Sequence, residues 1–270
     1  MAGWRGFNAA IAALLGCAAL AAPLEARASA IVAVDSEASP DYVRPRSADG
    51  SLMAEAYAFG RGGYLPWIME DETIDKLDFT GIADAVAPML AQRKYVSARD
   101  PEKTKLLIMV YWGVTPGAAD MGFTPDFIGA DRFYLLQDRE RDMIDYQNAG
   151  ILGYTRDGMI GTDYGYGLQT TALRHKVEDE ITDVEHSRYF VVLMAYDFQM
   201  MWKEKKPKLL WMTRLSIDQR RNDFDRELPT MLRIASPYFG RDTKGLIRDV
   251  IPEGQIEVGE LKSLGVLPEK

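Results

Sequence analysis

Tyr189 to Trp202 reads YFVVLMAYDFQMMW, and Leu209 to Ile217 reads LLWMTRLSI, with only Lys203 to Lys208 (KEKKPK) between them. Both runs are rich in β-branched and aromatic residues, and the break between them is charged and holds a proline. That combination predicts a β-hairpin, and the lysines at the break also discourage edge-to-edge pairing. A third apolar run, Leu106 to Trp112 (LLIMVYW), has the length and composition of a strand covered on both faces.

Two helices are expected to roof these strands. From Phe79 to Lys94 the apolar residues Ile82, Val86, Met89 and Leu90 recur at helical spacing, with Asp78 or Thr80 placed to cap the first turn. Pro88 falls inside this helix, where it removes one backbone hydrogen bond, so a kink or an exposed flank is expected there. From Arg226 to Phe239, Leu228, Met231, Leu232, Ala235 and Tyr238 form the inner face. Asp225 is placed as the cap, Pro229 in the first turn and Gly240 at the end. Upstream, Glu55 to Phe59 alternates around Tyr57 and Phe59 and predicts a short strand broken by the glycines of Gly60 to Gly63.

The remaining segments are read as accessory. Residues 113 to 186 are expected to form a helical and loop insertion, with helices over Asp131 to Gln147 and Thr170 to Glu185, the latter buried along Leu173, Val177, Ile181 and Val184. The tail from Gly245 contains one candidate strand, Gln255 to Val258. The fold class is therefore α+β: a small mixed or antiparallel sheet of about four strands with helices packed on one face, carrying the insertion. The folded domain is expected over residues 52 to 243 and an extended tail over 244 to 270.

The chain opens MAGWRGFNAA IAALLGCAAL AA, with Arg5 ahead of an apolar run and the polar stretch PLEARASA behind it. This is the layout of a secretory signal peptide, residues 1 to 30, and the run is too short and Ala-rich for a transmembrane anchor. Two cleavage readings stand side by side. Ala28-Ser29-Ala30 suits cleavage after Ala30, whereas Leu14-Leu15-Gly16-Cys17 resembles a lipobox, which would make Cys17 a lipid attachment site. Residues 31 to 51, with their Ser, Pro, Asp and Gly content, then read as a linker. Cys17 is the only cysteine, so cleavage after Ala30 leaves a mature chain that must fold by burial alone, for which about 240 residues suffice.

Strand, helix, strand, insertion, hairpin and helix follow one another in an order similar to that of a family of exported bacterial lipoproteins known only as a domain of unknown function. The residues that carry the resemblance are Tyr57-Ala58-Phe59, Leu106 to Tyr111, and Lys208-Leu209-Leu210-Trp211, the last resembling a strand in which an aliphatic pair precedes a tryptophan. The resemblance implies a fold and an envelope location, and it implies no catalytic residues.

The 270 residues are 47% hydrophobic and 27% charged, the composition of a globular protein, and the formal net charge of −8 argues against nucleic acid as a partner. His175 and His186 lie eleven residues apart, about 16 Å along a helix, too far to share one metal ion, and with Asp179 and Asp183 nearby the pattern fits a solvated helix face better than a shallow divalent-cation site. Gly165-Tyr166-Gly167 lacks the third glycine of a dinucleotide site, so no cofactor is expected. Tyr154, Tyr164 and Tyr166 offer amphipathic rings on a glycine-rich loop and are the candidate contact surface. Met194, Met200, Met201, Trp202, Trp211 and Met212 fit an adaptable core better than a soft-metal groove. Asp197 interrupts an apolar strand and is the carboxylate of interest. Together these features favour a non-catalytic binding or structural domain of the cell envelope, acting on an unknown envelope protein or surface. The alternative is a carboxylate-based hydrolase of envelope polymers.

Overall fold

A computed structural model describes residues 30–66, 70–119, 130–154 and 171–251, with side chains described over 140–154 and 178–251 in the last two stretches. The chain is α+β and is built on one mixed sheet. Its strands are β1 (Ile31–Ala38), β2 (Glu55–Leu65), β3 (Tyr95–Ser97), β4 (Leu106–Thr115), β5 (Arg188–Asp197), β6 (Leu209–Asp218) and β7 (Ile247–Val250). They lie in the order β3-β2-β4-β5-β6-β1-β7, seven strands where about four were expected. The three decisive runs are adjacent: β4 pairs with β5 and β5 with β6, both antiparallel, while β2 pairs in parallel with β3 and β4.

The largest correction concerns the expected linker. Ile31 to Ala38 is not a spacer but an interior strand, antiparallel to β6 from Val32↔Ile217 to Ala38↔Trp211 and to β7 on its other side. Its alternation explains why. Val32 and Val34 enter the main core, Ala33 enters a second core on the opposite face, and Asp35 on that face pairs with Arg214 at 2.6 Å. The same pairing corrects the tail, because β7 is a strand against β1 rather than an extended, loosely attached segment. The candidate strand Gln255 to Val258 lies outside the described residues, as do residues 1 to 29, which hold Cys17 and nearly all of the expected signal peptide.

β2 also runs further than expected. Its glycines do not end the strand; the register shifts between Arg61 and Gly63, and a Cβ on Gly62 would lie 2.7 Å from the Tyr111 ring on the neighbouring strand. Glycine here admits a bulge beneath an aromatic ring.

Helices α1 (Glu72–Asp75), α2 (Phe79–Gln92) and α5 (Phe224–Ala235) accompany the main core. α2 begins at Asp78, whose side chain accepts from Gly81 N at 2.9 Å, and buries Ile82, Val86 and Leu90 while accommodating Pro88. α5 starts two residues earlier than expected, at N-cap Asp223, and buries Leu228, Met231, Leu232 and Ala235. Gly240 closes the following turn with φ +69, a conformation suited to glycine. Trp211 stacks on Phe239, 6.1 Å between ring centroids, which seats this end of the helix on β6.

Helices also lie on the other face, against the expectation of one covered face. α3 (Ala130–Leu152) and α4 (Thr171–Glu185) fall in the β4–β5 connection, and Ala149, Leu152, Tyr154 and Val184 pack there against Ala33, Phe190 and Val192. The cover is partial. Leu107, Met109 and Tyr111 on this face of β4 stay half-buried, whereas Leu106, Ile108 and Val110 facing α2 and α5 are fully buried. No helix among the described residues is long and apolar enough to cross a membrane.

Candidate functional site

A cleft of about 760 Å³ opens at the end of the sheet where β5 begins and β6 finishes. One wall comes from the start of α1, the floor from Tyr189 on β5, and the other wall from Gln219 to Asp223, which lead from β6 into α5. Asp71 is its organising residue. As N-cap of α1 it accepts from Thr73 N at 3.0 Å and Thr73 Oγ1 at 2.7 Å, and it also accepts from Tyr189 Oη at 2.5 Å and Gln219 Nε2 at 2.9 Å. One carboxylate thus joins α1, β5 and the β6–α5 connection.

These contacts set the protonation of the floor. Burial pulls the Asp71 carboxyl upward, but the hydrogen bonds from Tyr189, Thr73 and Gln219 outweigh it and leave Asp71 below its ordinary value. Burial, and then the bond to Asp71, push the Tyr189 hydroxyl above its ordinary value. At neutral pH the pair is a carboxylate receiving a phenolic proton donor, each moved away from the pH at which it could exchange that proton.

A smaller pocket of about 250 Å³ shares Arg220, Arg221 and Asn222 with this cleft and reaches Arg188, Arg248, Asp183 and Asp218. Arg188 is buried, donating from Nε to Ser216 Oγ at 3.1 Å and from an amino nitrogen to Asp183 at 2.7 Å. Asp183 also accepts from Tyr154 Oη at 2.7 Å and pairs with Arg248 at 3.2 Å. Arg220 forks onto Asp218, at 2.6 Å for the shorter contact, and its other amino nitrogen meets His186 Nε2 at 3.1 Å. Burial raises the Asp218 carboxyl and the Arg220 hydrogen bonds lower it further, so that it titrates below its ordinary value.

The residues singled out from sequence fare differently. Tyr154 is not a contact surface: it is 1% exposed, and its hydroxyl is spent on Asp183 because an aromatic ring beneath α3 and α4 is worth more as packing. Tyr164 and Tyr166 lie outside the described residues, as does the side chain of His175. His186 sits at the cleft rim with Arg220. Asp197 closes the far end of β5, nine residues and therefore about 30 Å along the strand from Arg188, the residue that pairs with Asp183. Its carboxylate accepts from Met200 N at 3.0 Å and caps the π-helical turn Met200–Glu204, so it faces none of the described acids of the insertion. Of the Met and Trp cluster, Trp211 is core and Met194 and Met212 pack on the second face, while Trp202 is exposed on that turn.

Asp71, Gln219 and Arg220 were not anticipated. The available signal was local: an aspartate two residues before a threonine at a helix start, and a Gln-Arg pair directly after the polar end of a strand.

No protein-family model and no curated protein matches the chain. Among solved structures, the chain is similar to the crystal structure of a PDZ domain protein from Parabacteroides distasonis ATCC 8503, at 11% identity and a TM-score of 0.41 over 82% of this chain. The chain spans 39% of that protein's length.

Proposed function

We propose that this protein is exported to the cell envelope and acts there by binding, taking a polar segment of an envelope partner into the cleft between α1 and the β6–α5 connection. The observation that carries the binding reading is the state of the cleft floor. A general acid or base works best with a pKa near the working pH, whereas Asp71, against the pull of its burial, is held below its ordinary value by hydrogen bonds from Tyr189, Thr73 and Gln219, and Tyr189 is held above its own by burial and then by the bond to Asp71. Such a floor is a fixed template of donors and acceptors. Its volume of about 760 Å³ falls within the roughly 300–1,000 Å³ typical of ligand sites, and Arg220, Arg221, Asn222 and Asp223 give its rim charges of both signs.

Export is supported by the charged, apolar and small-residue succession of residues 1 to 30. A lipid on Cys17 would tether the domain to a membrane; cleavage after Ala30 would release it. Two measurements test the proposal. Intact mass of the protein recovered from the envelope is expected to show a chain beginning near Ile31 or a lipidated chain beginning at Cys17; an unprocessed chain confined to the cytoplasm overturns export. A photo-crosslinking residue at position 222 is expected to give a discrete adduct in the envelope fraction that the same residue at exposed position 84 does not. Equal labelling from both positions, or envelope-polymer cleavage abolished by Asp71→Asn, overturns the binding reading.

A further inference from the structure

On the opposite side of the domain from the cleft, four arginines from three separate chain segments converge. Arg44 and Arg46 come from the loop between β1 and β2, Arg93 is the C-cap of α2, and Arg241 follows the turn after α5; together they line a concavity of about 200 Å³. This occurs in a protein whose formal net charge is −8. One carboxylate is engaged with the group: Glu55, which pairs with Arg44 Nε at 3.4 Å and accepts from Tyr42 Oη at 2.7 Å. Among the described residues Arg46, Arg93 and Arg241 have no carboxylate partner.

The guanidinium groups are held in place by contacts that do not neutralise them. The Arg44 side chain is 7% exposed, lies 3.9 Å over the Tyr95 ring, and donates to the carbonyls of Arg93 at 2.6 Å, Met53 at 3.2 Å and Lys94 at 3.3 Å. Arg93 donates to the Pro237 carbonyl at 3.1 Å, which accounts for one of its five N–H donors. Gly240 brings the backbone against Tyr95 and Tyr42, where a Cβ would overlap the Tyr95 hydroxyl, so the segment carrying Arg241 is seated closely on this wall. Burial, and then the charges of Arg241 and Arg44, lower the Arg93 pKa, the mark of like charges kept close together.

Like charges assembled on a rigid frame leave repulsion that a bound anion relieves, and the fork of a guanidinium matches an oxyanion. The cavity is smaller than the sites that take drug-sized ligands, which restricts the occupant to a compact group. We propose that the Arg44, Arg46, Arg93 and Arg241 cavity is a binding site for a single phosphate group, with Arg93, Arg241 and Arg46 donating to it and Arg44 supplying fixed positive charge behind them. The site is separate from the cleft at the β5 end and does not depend on the function proposed for it.

The test is calorimetric titration of the full chain at low ionic strength with inorganic phosphate, alongside flotation with vesicles of phosphatidylglycerol in phosphatidylcholine. Phosphate is expected to bind wild type, and Arg241→Ala, which removes no contact described within the protein, is expected to weaken it about tenfold or more at an unchanged Tm. Arg93→Ala, which also gives up the bond to the Pro237 carbonyl, is expected to weaken phosphate binding as much with a small fall in Tm, and Arg226→Ala, far from the cavity, to do nothing. Flotation on phosphatidylglycerol that Arg241→Ala abolishes, without binding of free phosphate, identifies the group as a lipid headgroup and supports the site. An adventitious ion only, bound equally by wild type and both cavity variants, overturns the proposal, and so does binding to neither probe.

Discussion

Replacing Val34 by alanine distinguishes a strand from a spacer in the segment that composition alone assigns to a linker. Val34 is 0% exposed and stands between Leu215 of β6 and Ile247 of β7. Deleting two carbon atoms from the core forfeits about 0.8 kcal/mol of transfer free energy for each, roughly 1.6 kcal/mol. A residual cavity of about 40 Å³ at about 24 cal/mol per Å³ adds about 1 kcal/mol. The expected loss is thus about 2–3 kcal/mol from a total that is typically about 5–15 kcal/mol. For a domain of this size each kcal/mol moves Tm by about 2–4 °C, so Val34→Ala is expected to melt about 5–10 °C below wild type. Val43→Ala is the matched control, because Val43 is 81% exposed in the true loop and its truncation is expected to stay within about 0.5 kcal/mol. Thermal melts followed by circular dichroism, with urea titrations to confirm an unchanged slope, read both variants. If the two variants melt together, β1 is not part of the cooperative unit and the sheet order is wrong.

Tyr154→Phe removes the hydroxyl that donates to Asp183. A lost bond to a charged partner costs about 1.5–3 kcal/mol, so Tm is expected to fall by several degrees; an unchanged melt would return Tyr154 to the surface role its loop first suggested. Asp145, on α3, is raised by burial and then by Glu185 of α4 from the ordinary 3.8 to about 6. Because the folded carboxyl binds its proton more tightly than the unfolded one, stability is lost as pH rises from about 4 to about 6. Asp145→Asn is accordingly expected to melt above wild type at pH 7.5 and level with it at pH 4, and an equal offset at both values would rule out the titration. Gly113→Ala places a Cβ into the Leu65 carbonyl oxygen across the parallel β2–β4 pair. Main-chain overlap of this kind is expected to cost about 3 kcal/mol or more, visible as a broadened or absent unfolding transition, whereas a melt matching wild type would mean that β2 and β4 are not paired at that register.

How much of this fold could be read depended on whether a strand's pattern is carried by its own residues or by its partners. β4, β5 and β6 announce themselves because their core-facing residues alternate with other large apolar side chains. β1 does not, because Asp35, Ser36 and Glu37 follow four apolar residues and imitate a solvated spacer. The burial of Asp35 and Ser36 is made tolerable by groups nearly two hundred residues away, Arg214 for Asp35 and Thr213 for Ser36, while the partly exposed Glu37 shares Arg214. β7 is legible for the same reason only after β1 is known. The glycines of β2 resemble a turn until the Tyr111 ring above Gly62 supplies the reason for a missing side chain. At the candidate site, Tyr189 was visible as a strand residue, but its role depends on Asp71, 118 positions earlier. Asp197 drew attention as a charge in an apolar run, yet its place at the last residue of β5 makes it a turn cap.

Asp183 explains why a sheet with two unequal faces has its cleft at one end. This carboxylate receives Tyr154 from the segment after α3, Arg188 from β5 and Arg248 from β7, so three separately folded pieces meet on one charge. Breaking a buried pair by removing one member leaves the other uncompensated, at about 3–5 kcal/mol, which makes the insertion's attachment strong there. The open lower part of the second face, where Leu107, Met109 and Tyr111 stay half-buried, is the complement of that concentration. Arg188 is followed directly in β5 by Tyr189, whose hydroxyl points to the other face and holds Asp71. Consecutive residues of one strand therefore fasten the insertion on one side and the floor of the cleft on the other, so a perturbation that frees Asp183 must loosen the candidate binding site as well.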